Sequence, residues 1–263
     1  MNLGLKGRNA FITGASRGIG AEIARALAAE GVSLALFGRD LKRCNALAAE
    51  LVAKHPEIRA VVCEMDMQQP EALASAVAKA AEFLRSCDIL VNCAGGATRG
   101  RLEDIAEESW EHNFNVKPLG LVRVTRICLP LLRESDQARI INVAGTRGRE
   151  PGTFSVMSSP INLATLGVTK ALANELGPQG ITVNAINPGS TDTGRWTELV
   201  KMTAKDRRIS TEDAKKYLNC EVPLGRVVMP EDIAGLAVFL ASSQATMITG
   251  VAINVDGGRS RSI

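Results

Sequence analysis

The residues whose types and spacing most directly suggest chemistry are Thr13-Gly14-Ala15-Ser16-Arg17-Gly18-Ile19-Gly20. An apolar run, Asn9-Ala10-Phe11-Ile12, precedes them and an Ala-rich amphipathic segment, 21–30, follows, so strand, glycine turn and helix come in order. A pyrophosphate held at a helix N-terminus must come close to backbone N–H groups that lack intrahelical partners and sit at the positive end of the helix dipole. A side chain in the turn would block that approach, and glycine also admits the torsions the turn needs. The spacing, Gly-x-x-x-Gly-x-Gly, is one residue wider than the general dinucleotide fingerprint.

Charge bears on which dinucleotide. An acidic residue closing the second strand pairs with the ribose hydroxyls of NAD, whereas a basic one suits the 2′-phosphate of NADP. Here that strand ends Phe37-Gly38-Arg39-Asp40, and Arg17 lies in the glycine turn. Two guanidinium groups at these loops can clamp a phosphate through charge-assisted, bidentate contacts. This favours NADP(H) over NAD(H). The alternative reading makes Arg39 a solvated loop residue and Asp40 the cap of the next helix.

The elements that must position these groups alternate along the chain. Strand patterns at 33–37, 60–63, 89–91, 139–143, 181–186 and 251–255 are separated by helical patterns at 40–54, 70–85, 107–133, 160–176 and 230–241. Alternation with near-continuous apolar strands predicts an α/β fold: a single-domain, Rossmann-like, doubly wound parallel sheet of about seven strands with helices on both faces. The ligand is expected at the carboxyl ends of the strands, beside the point where strand order reverses. One composition regime runs through all 263 residues, which predicts one domain over 1–263.

The string TGASRGIG resembles the cofactor signature of short-chain dehydrogenases/reductases, and three further loops extend the resemblance over the chain. Met65-Asp66-Met67 falls where that family contacts the adenine, Asn92-Cys93-Ala94-Gly95 resembles its Asn-Asn-Ala-Gly, and Pro188-Gly189-Ser190-Thr191-Asp192-Thr193 resembles the loop that holds the nicotinamide carboxamide. Val255-Asp256-Gly257-Gly258 completes the set. The cofactor residues that the resemblance and the glycine turn together imply are Thr13, Gly14, Ser16, Arg17, Gly18, Ile19, Gly20, Arg39, Asp66, Met67, Asn92, Ala94, Gly95, Pro188, Gly189, Thr191 and Thr193. Taken singly, each loop also reads as ordinary turn chemistry.

The catalytic set that the resemblance implies is missing. The family uses a Tyr with a Lys one helical turn later, where the ammonium lowers the phenol pKa. Counting back from Gly180-Ile181-Thr182-Val183-Asn184 puts Ser158 in the Tyr slot and Asn162 in the Lys slot; the Ser slot falls on Gly145, and the Asn slot on Lys117 or, with a two-residue slip, on Asn115. The only tyrosine is Tyr217, far downstream. A serine hydroxyl is a far weaker acid than a phenol of pKa roughly 10. The candidate catalytic residues are therefore Ser158, Asn162 and Lys117, with Lys117 stabilising a developing oxyanion or enolate from the opposite wall. The competing readings are a solvated helix lysine at 117, and a loop serine at 158 beside a helix N-cap at Ser159.

Three functions remain open: an oxidoreductase that reduces a carbonyl or activated double bond with a non-standard acid site, a dinucleotide-binding protein without hydride transfer, and a non-redox lyase or hydrolase using Ser158 with Lys117. Residues 194–222 contain two short helical patterns, 196–202 and 212–218, and in the resembled family this insertion covers the substrate. Lys201, Lys205, Arg207, Arg208, Lys215 and Lys216 make it basic, which suits an acyl thioester on an acidic carrier or else is a solvated face. The resemblance also implies a homo-oligomer, a tetramer or dimer, joined through helices 107–133 and 160–176. Net charge is +3 with both signs interspersed, and nine aromatics offer no stacking platform, so no nucleic-acid partner is expected. Six cysteines without a C-x-x-C read as reduced core thiols, His55 and His112 form no metal cluster, and no signal core or membrane span is visible. A cytoplasmic location without a membrane partner follows as an expectation.

Overall fold

The computed structural model describes residues 2–96 and 98–261. Its strands are β1 (Asn9–Thr13), β2 (Ser33–Gly38), β3 (Ala60–Glu64), β4 (Ile89–Asn92), β5 (Arg139–Val143), β6 (Thr182–Pro188) and β7 (Ala252–Val255). Its helices are α1 (Gly18–Ala29), α2 (Leu41–Lys54), α3 (Pro70–Leu84), α4 (Glu107–Phe114), α5 (Gly120–Arg133), α6 (Ser158–Leu176), α7 (Gly194–Arg207), α8 (Thr211–Cys220) and α9 (Pro230–Ala241). The strands form one parallel sheet in the order β3-β2-β1-β4-β5-β6-β7.

Every residue of β1, β2, β4, β5 and β6 is buried, so both faces of the sheet must be covered. On one face α1, α2 and α9 do this through Ile23, Leu27, Leu51 and Ile233. On the other, α3, α5 and α6 contribute Leu73, Val77, Val124 and Leu176. Because β1 lies between β2 and β4, the chain reverses direction across the sheet there, and a crevice opens at the carboxyl ends of those two strands.

A layer of buried polar side chains lies across the sheet just inside that crevice. Thr13 is in register with Asn92, and Asn92 with Asn142. Asn92 Nδ2 donates to Asn142 Oδ1 (3.0 Å) and Thr125 Oγ1 (3.2 Å), and Asn142 Nδ2 donates to Thr169 Oγ1 (2.9 Å). The network ties β4 and β5 to α5 and α6, the helices behind the site. Buried polar groups of this kind fix one arrangement of neighbouring elements, because any slip leaves donors unpaired.

Three expectations need correction. The helical pattern over 107–133 is not one α-helix: a π-helical turn, Asn115–Leu119, separates α4 from α5. Pro118 lies in that turn and has no N–H to donate, which interrupts the regular ladder, and a wider turn carries the chain through. Second, α6 starts at Ser158 and Ser159 is not its N-cap; Ser159 N already donates to the Ser155 carbonyl. Pro160 sits in the first turn, where N–H groups have no intrahelical partner to lose. Third, Cys44, Cys63, Cys87 and Cys128 are buried free thiols, but Cys93 is only partly buried and Cys220 is exposed. Among the described residues no helix is long and apolar enough to cross a membrane.

Candidate active site

A cleft of about 970 Å³ opens along the carboxyl ends of the strands. Its first half is made by the loops after β1, β2 and β4. Gly14 has φ +69°, and a Cβ there would lie 2.8 Å from Ala94 Cα; a Cβ on Gly20 would lie 2.4 Å from the Gly14 carbonyl oxygen. The turn therefore closes only with glycine at these two positions. Thr13 Oγ1 accepts from the N–H groups of Cys93 and Ala94, both at 3.1 Å, and so staples the β4 loop to the glycine turn. α1 begins at Gly18 and presents its N-terminus to the cleft.

Arg17, Arg39 and Arg43 line the same half, at the ends of β1 and β2. Asp40 is the N-cap of α2, its carboxylate accepting from Arg43 N at 3.1 Å, so the first free side chain after β2 is the arginine. Asp66 lines the cleft as well, while its Oδ1 accepts from Gln68 N at 3.0 Å to hold the turn after β3. Across the cleft, Thr193 is the N-cap of α7, and Thr191 Oγ1 donates to the Gly189 carbonyl at 3.1 Å. Of the expected cofactor residues, all but one line the cleft; the exception, Asn92, is buried beneath it in the polar layer and acts on the site by positioning.

The inner wall carries the candidate catalytic residues. Lys117 is only 8 % exposed, which removes the solvated-lysine reading, and it comes from the π-helical turn. Its Nζ donates to Asn162 Oδ1 (2.8 Å) on α6 and to the Ala144 carbonyl (2.9 Å) after β5. Burial, and then the nearby Arg195, push its pKa down to about 7. Asn115 faces elsewhere, its amide donating to the Glu111 carbonyl at 3.0 Å and accepting from Arg123. A Cβ on Gly145 would lie 3.0 Å from Asn162 Nδ2, so the glycine makes room for the amide that holds Lys117.

Ser158 lines the cleft, half-buried, but its hydroxyl donates to the Ser155 carbonyl at 3.3 Å. The contact with Lys117 on which the lyase or hydrolase reading depends is not formed. Cys93 lies close to Lys117, and burial pushes its thiol up to about 12, so it stays protonated.

Comparison with known proteins agrees with this geometry. The family described as enoyl-(acyl carrier protein) reductase matches residues 14–260. The chain belongs to the short-chain dehydrogenase/reductase family. Within that family it is similar to the NADPH-dependent reductase BacG of Bacillus subtilis (strain 168), 33% identical over 256 residues, covering 97% of this chain and 99% of that one. The 3-oxoacyl-[acyl-carrier-protein] reductase FabG of Aquifex aeolicus (strain VF5) is 33% identical over 259 residues, covering 98% of this chain and 99% of that one. Among solved structures, the L-sorbose reductase from Gluconobacter frateurii, complexed with NADPH and L-sorbose, superposes with a TM-score of 0.93 at 31% identity and covers 100% of both chains.

In this short-chain dehydrogenase/reductase the second half of the cleft contains residues that sequence reasoning passed over: Arg99, Arg147, Arg195 and Arg259. Each follows the carboxyl end of a strand, β4, β5, β6 and β7 in turn, and that recurrence was visible in the sequence. The basic residues singled out instead, Lys201, Lys205, Arg207, Arg208, Lys215 and Lys216, are all exposed on α7, α8 and the turn between them, and none lines the cleft. From this insertion Trp196, Glu198 and Leu199 face the cleft. His112 lies exposed at its rim, its Nδ1 3.0 Å from Gln68 Oε1.

Proposed function

We propose that the protein is an NADP(H)-dependent reductase of a carbonyl or activated double bond in which Lys117 supplies the proton. The observation that carries this reading is the buried Lys117 Nζ, held between Asn162 Oδ1 and the Ala144 carbonyl on the inner wall of the cofactor cleft. The glycine turn would hold the pyrophosphate, the 188–193 loop the nicotinamide carboxamide, and Arg17, Arg39 and Arg43 the 2′-phosphate; the cradle fits because the turn closes tightly only with glycine at 14 and 20 and presents the N-terminus of α1 to the cleft. When bound, the cofactor supplies hydride to the substrate.

Lys117 then does what a tyrosine does elsewhere in the family. With its pKa near neutrality, the ammonium and amine are both populated, so Nζ can give a proton to the reduced substrate and regain one from solvent. Asn162 and Ala144 accept two of its three N–H bonds and fix where the third is aimed. Before the transfer, the ammonium also stabilises negative charge developing on the substrate oxygen. α7 and α8 cover the substrate, a small molecule whose classes include acyl thioesters. The enzyme acts in the cytoplasm as a homo-oligomer, a dimer or tetramer; Leu163 on α6, 58% exposed, supports burial of that helix between subunits.

Calorimetric titration with NADPH and with NADH, followed by NADPH oxidation against a panel of carbonyl and enone substrates, tests the reading. NADPH binding that exceeds NADH binding, with turnover lost in Lys117→Met, is the expected result. No binding of either nucleotide would sink it. Binding with no turnover across the panel would leave a dinucleotide-binding protein without hydride transfer.

A further inference from the structure

The arginines on the far side of the cleft have no role in the scheme above. Among the described residues, eight basic side chains line the cleft against four carboxylates, and half of the eight are Arg99, Arg147, Arg195 and Arg259. The glycine turn and the arginines assigned to the 2′-phosphate lie at the ends of β1 and β2, whereas these four follow β4 to β7, on the side where Lys117 and the covering helix α7 stand. We infer that Arg99, Arg147 and Arg259 form a receptor for an anionic head group, a carboxylate or phosphate, on the substrate. The inference rests on the reductase reading and names the substrate class for it.

Two of the three guanidinium groups are held in place by the protein. Arg147 Nη1 donates to the Glu150 carbonyl at 3.3 Å, with its guanidinium packed against Gly152; a Cβ there would lie 2.1 Å from Nη1. Arg259 pairs with Glu221 and reaches Ser190 Oγ at 3.5 Å. Arg195 lies against Gly96, where a Cβ would meet Nη1 at 1.5 Å, so a second glycine leaves space for a guanidinium. Arg195 feels the charge of Arg17 and stands between the two halves of the cleft.

Arg99 differs from them. Among the described residues it has neither a hydrogen bond nor an ion pair, and Glu198 attracts it only at longer range. Burial, followed by repulsion from Arg195, Arg147 and Arg259, pushes its pKa down to about 10. A cation such as Arg99, repelled by its neighbours, is stabilised when an oxyanion accepts from it, and guanidinium forks match the geometry of carboxylate and phosphate. Bound there, the anion would anchor the substrate beside Lys117, whose own pKa already responds to Arg195.

The test uses the full-length protein saturated with NADPH and titrated calorimetrically, at fixed ionic strength, with succinate, inorganic phosphate and neutral succinamide. One of the two anions should bind at a single site about tenfold or more tightly than succinamide, and its identity tells carboxylate from phosphate. Arg99→Gln and, separately, Arg147→Gln should each weaken that binding about tenfold or more. NADPH affinity in both variants should stay within about twofold of the parent, which also shows that they fold. Anions that bind no better than succinamide, or bind only when NADPH is absent, would overturn the inference, the second result placing the arginines in the cofactor clamp. Failure to bind NADPH at all would instead bring down the reductase reading beneath it.

Discussion

At the ends of β1 and β2 main chain builds the turn: Gly14 and Gly20 bring backbone against backbone, Thr13 fastens the β4 loop to them, and Arg17, Arg39 and Arg43 line the cleft beside it. At the ends of β4 to β7 four arginines line the cleft, in the half that also contains the buried Lys117. The first half is fixed by shape and accepts one ligand part, a pyrophosphate, whatever else changes. The second half is set by long side chains, which occupy space that Gly96, Gly145 and Gly152 leave. The two halves of one cleft therefore ask different things of the sequence: close backbone approach in the first, long polar side chains in the second.

The sharpest way to break that comparison is at Lys117. Lys117→Met should lower reductive turnover by about 10²- to 10⁴-fold, as loss of a general acid does, while NADPH still titrates calorimetrically. If turnover survives, the second half of the cleft does not carry the proton. Next in size, Gly20→Ala forces a Cβ to within 2.4 Å of the Gly14 carbonyl oxygen and should weaken NADPH binding about 100-fold, with the catalytic wall untouched. Replacing Arg17 and Arg39 singly with Ala should weaken NADPH about ten- to a hundredfold and NADH far less, read by parallel titrations.

A smaller effect tests the buried cation through stability. Lys117 releases its proton near pH 7 when folded but near about pH 10.4 when unfolded, so between those values the unfolded chain binds more protons. Its contribution therefore makes stability rise with pH across that window, and thermal melts of Lys117→Met should lack this rise. Turnover by the parent enzyme should fall as pH climbs through about 7, because the donating ammonium is lost. Smallest of all, Lys215→Gln and Lys216→Gln on the exposed face of α8 should leave NADPH titration and turnover within error. A marked loss there would return the carrier-binding reading to that face.

The backbone-built half is legible in the sequence because its requirements are local. A glycine that must admit a close approach sits next to the residues it serves, and strand, turn and helix follow one another along the chain. Lys117 can be placed by counting along the family pattern, but its orientation depends on the π-helical turn at Asn115–Leu119, which a regular helical period does not describe. The four arginines are harder to pick out because they follow four different strands, and although each stands after a strand end in the sequence, only the sheet order brings them to one side of the cleft. Basic residues clustered in sequence, such as Lys215 and Lys216, stand out more and lie on the surface. Asn92 shows the converse case: a residue in a recognisable loop whose side chain turns inward to hold the sheet.

The packing around Asn162 also ties three positions together. Lys117 needs the Asn162 carbonyl, the Asn162 amide needs the space left by Gly145, and the α6 backbone at Asn162 needs that left by Gly148. A lysine placed at 162 alone would set two ammonium groups against each other, and a serine at 145 alone would press on the amide. Gly145, Lys117 and Asn162 therefore form one interlocked set, in which a change at any single member disturbs the other two.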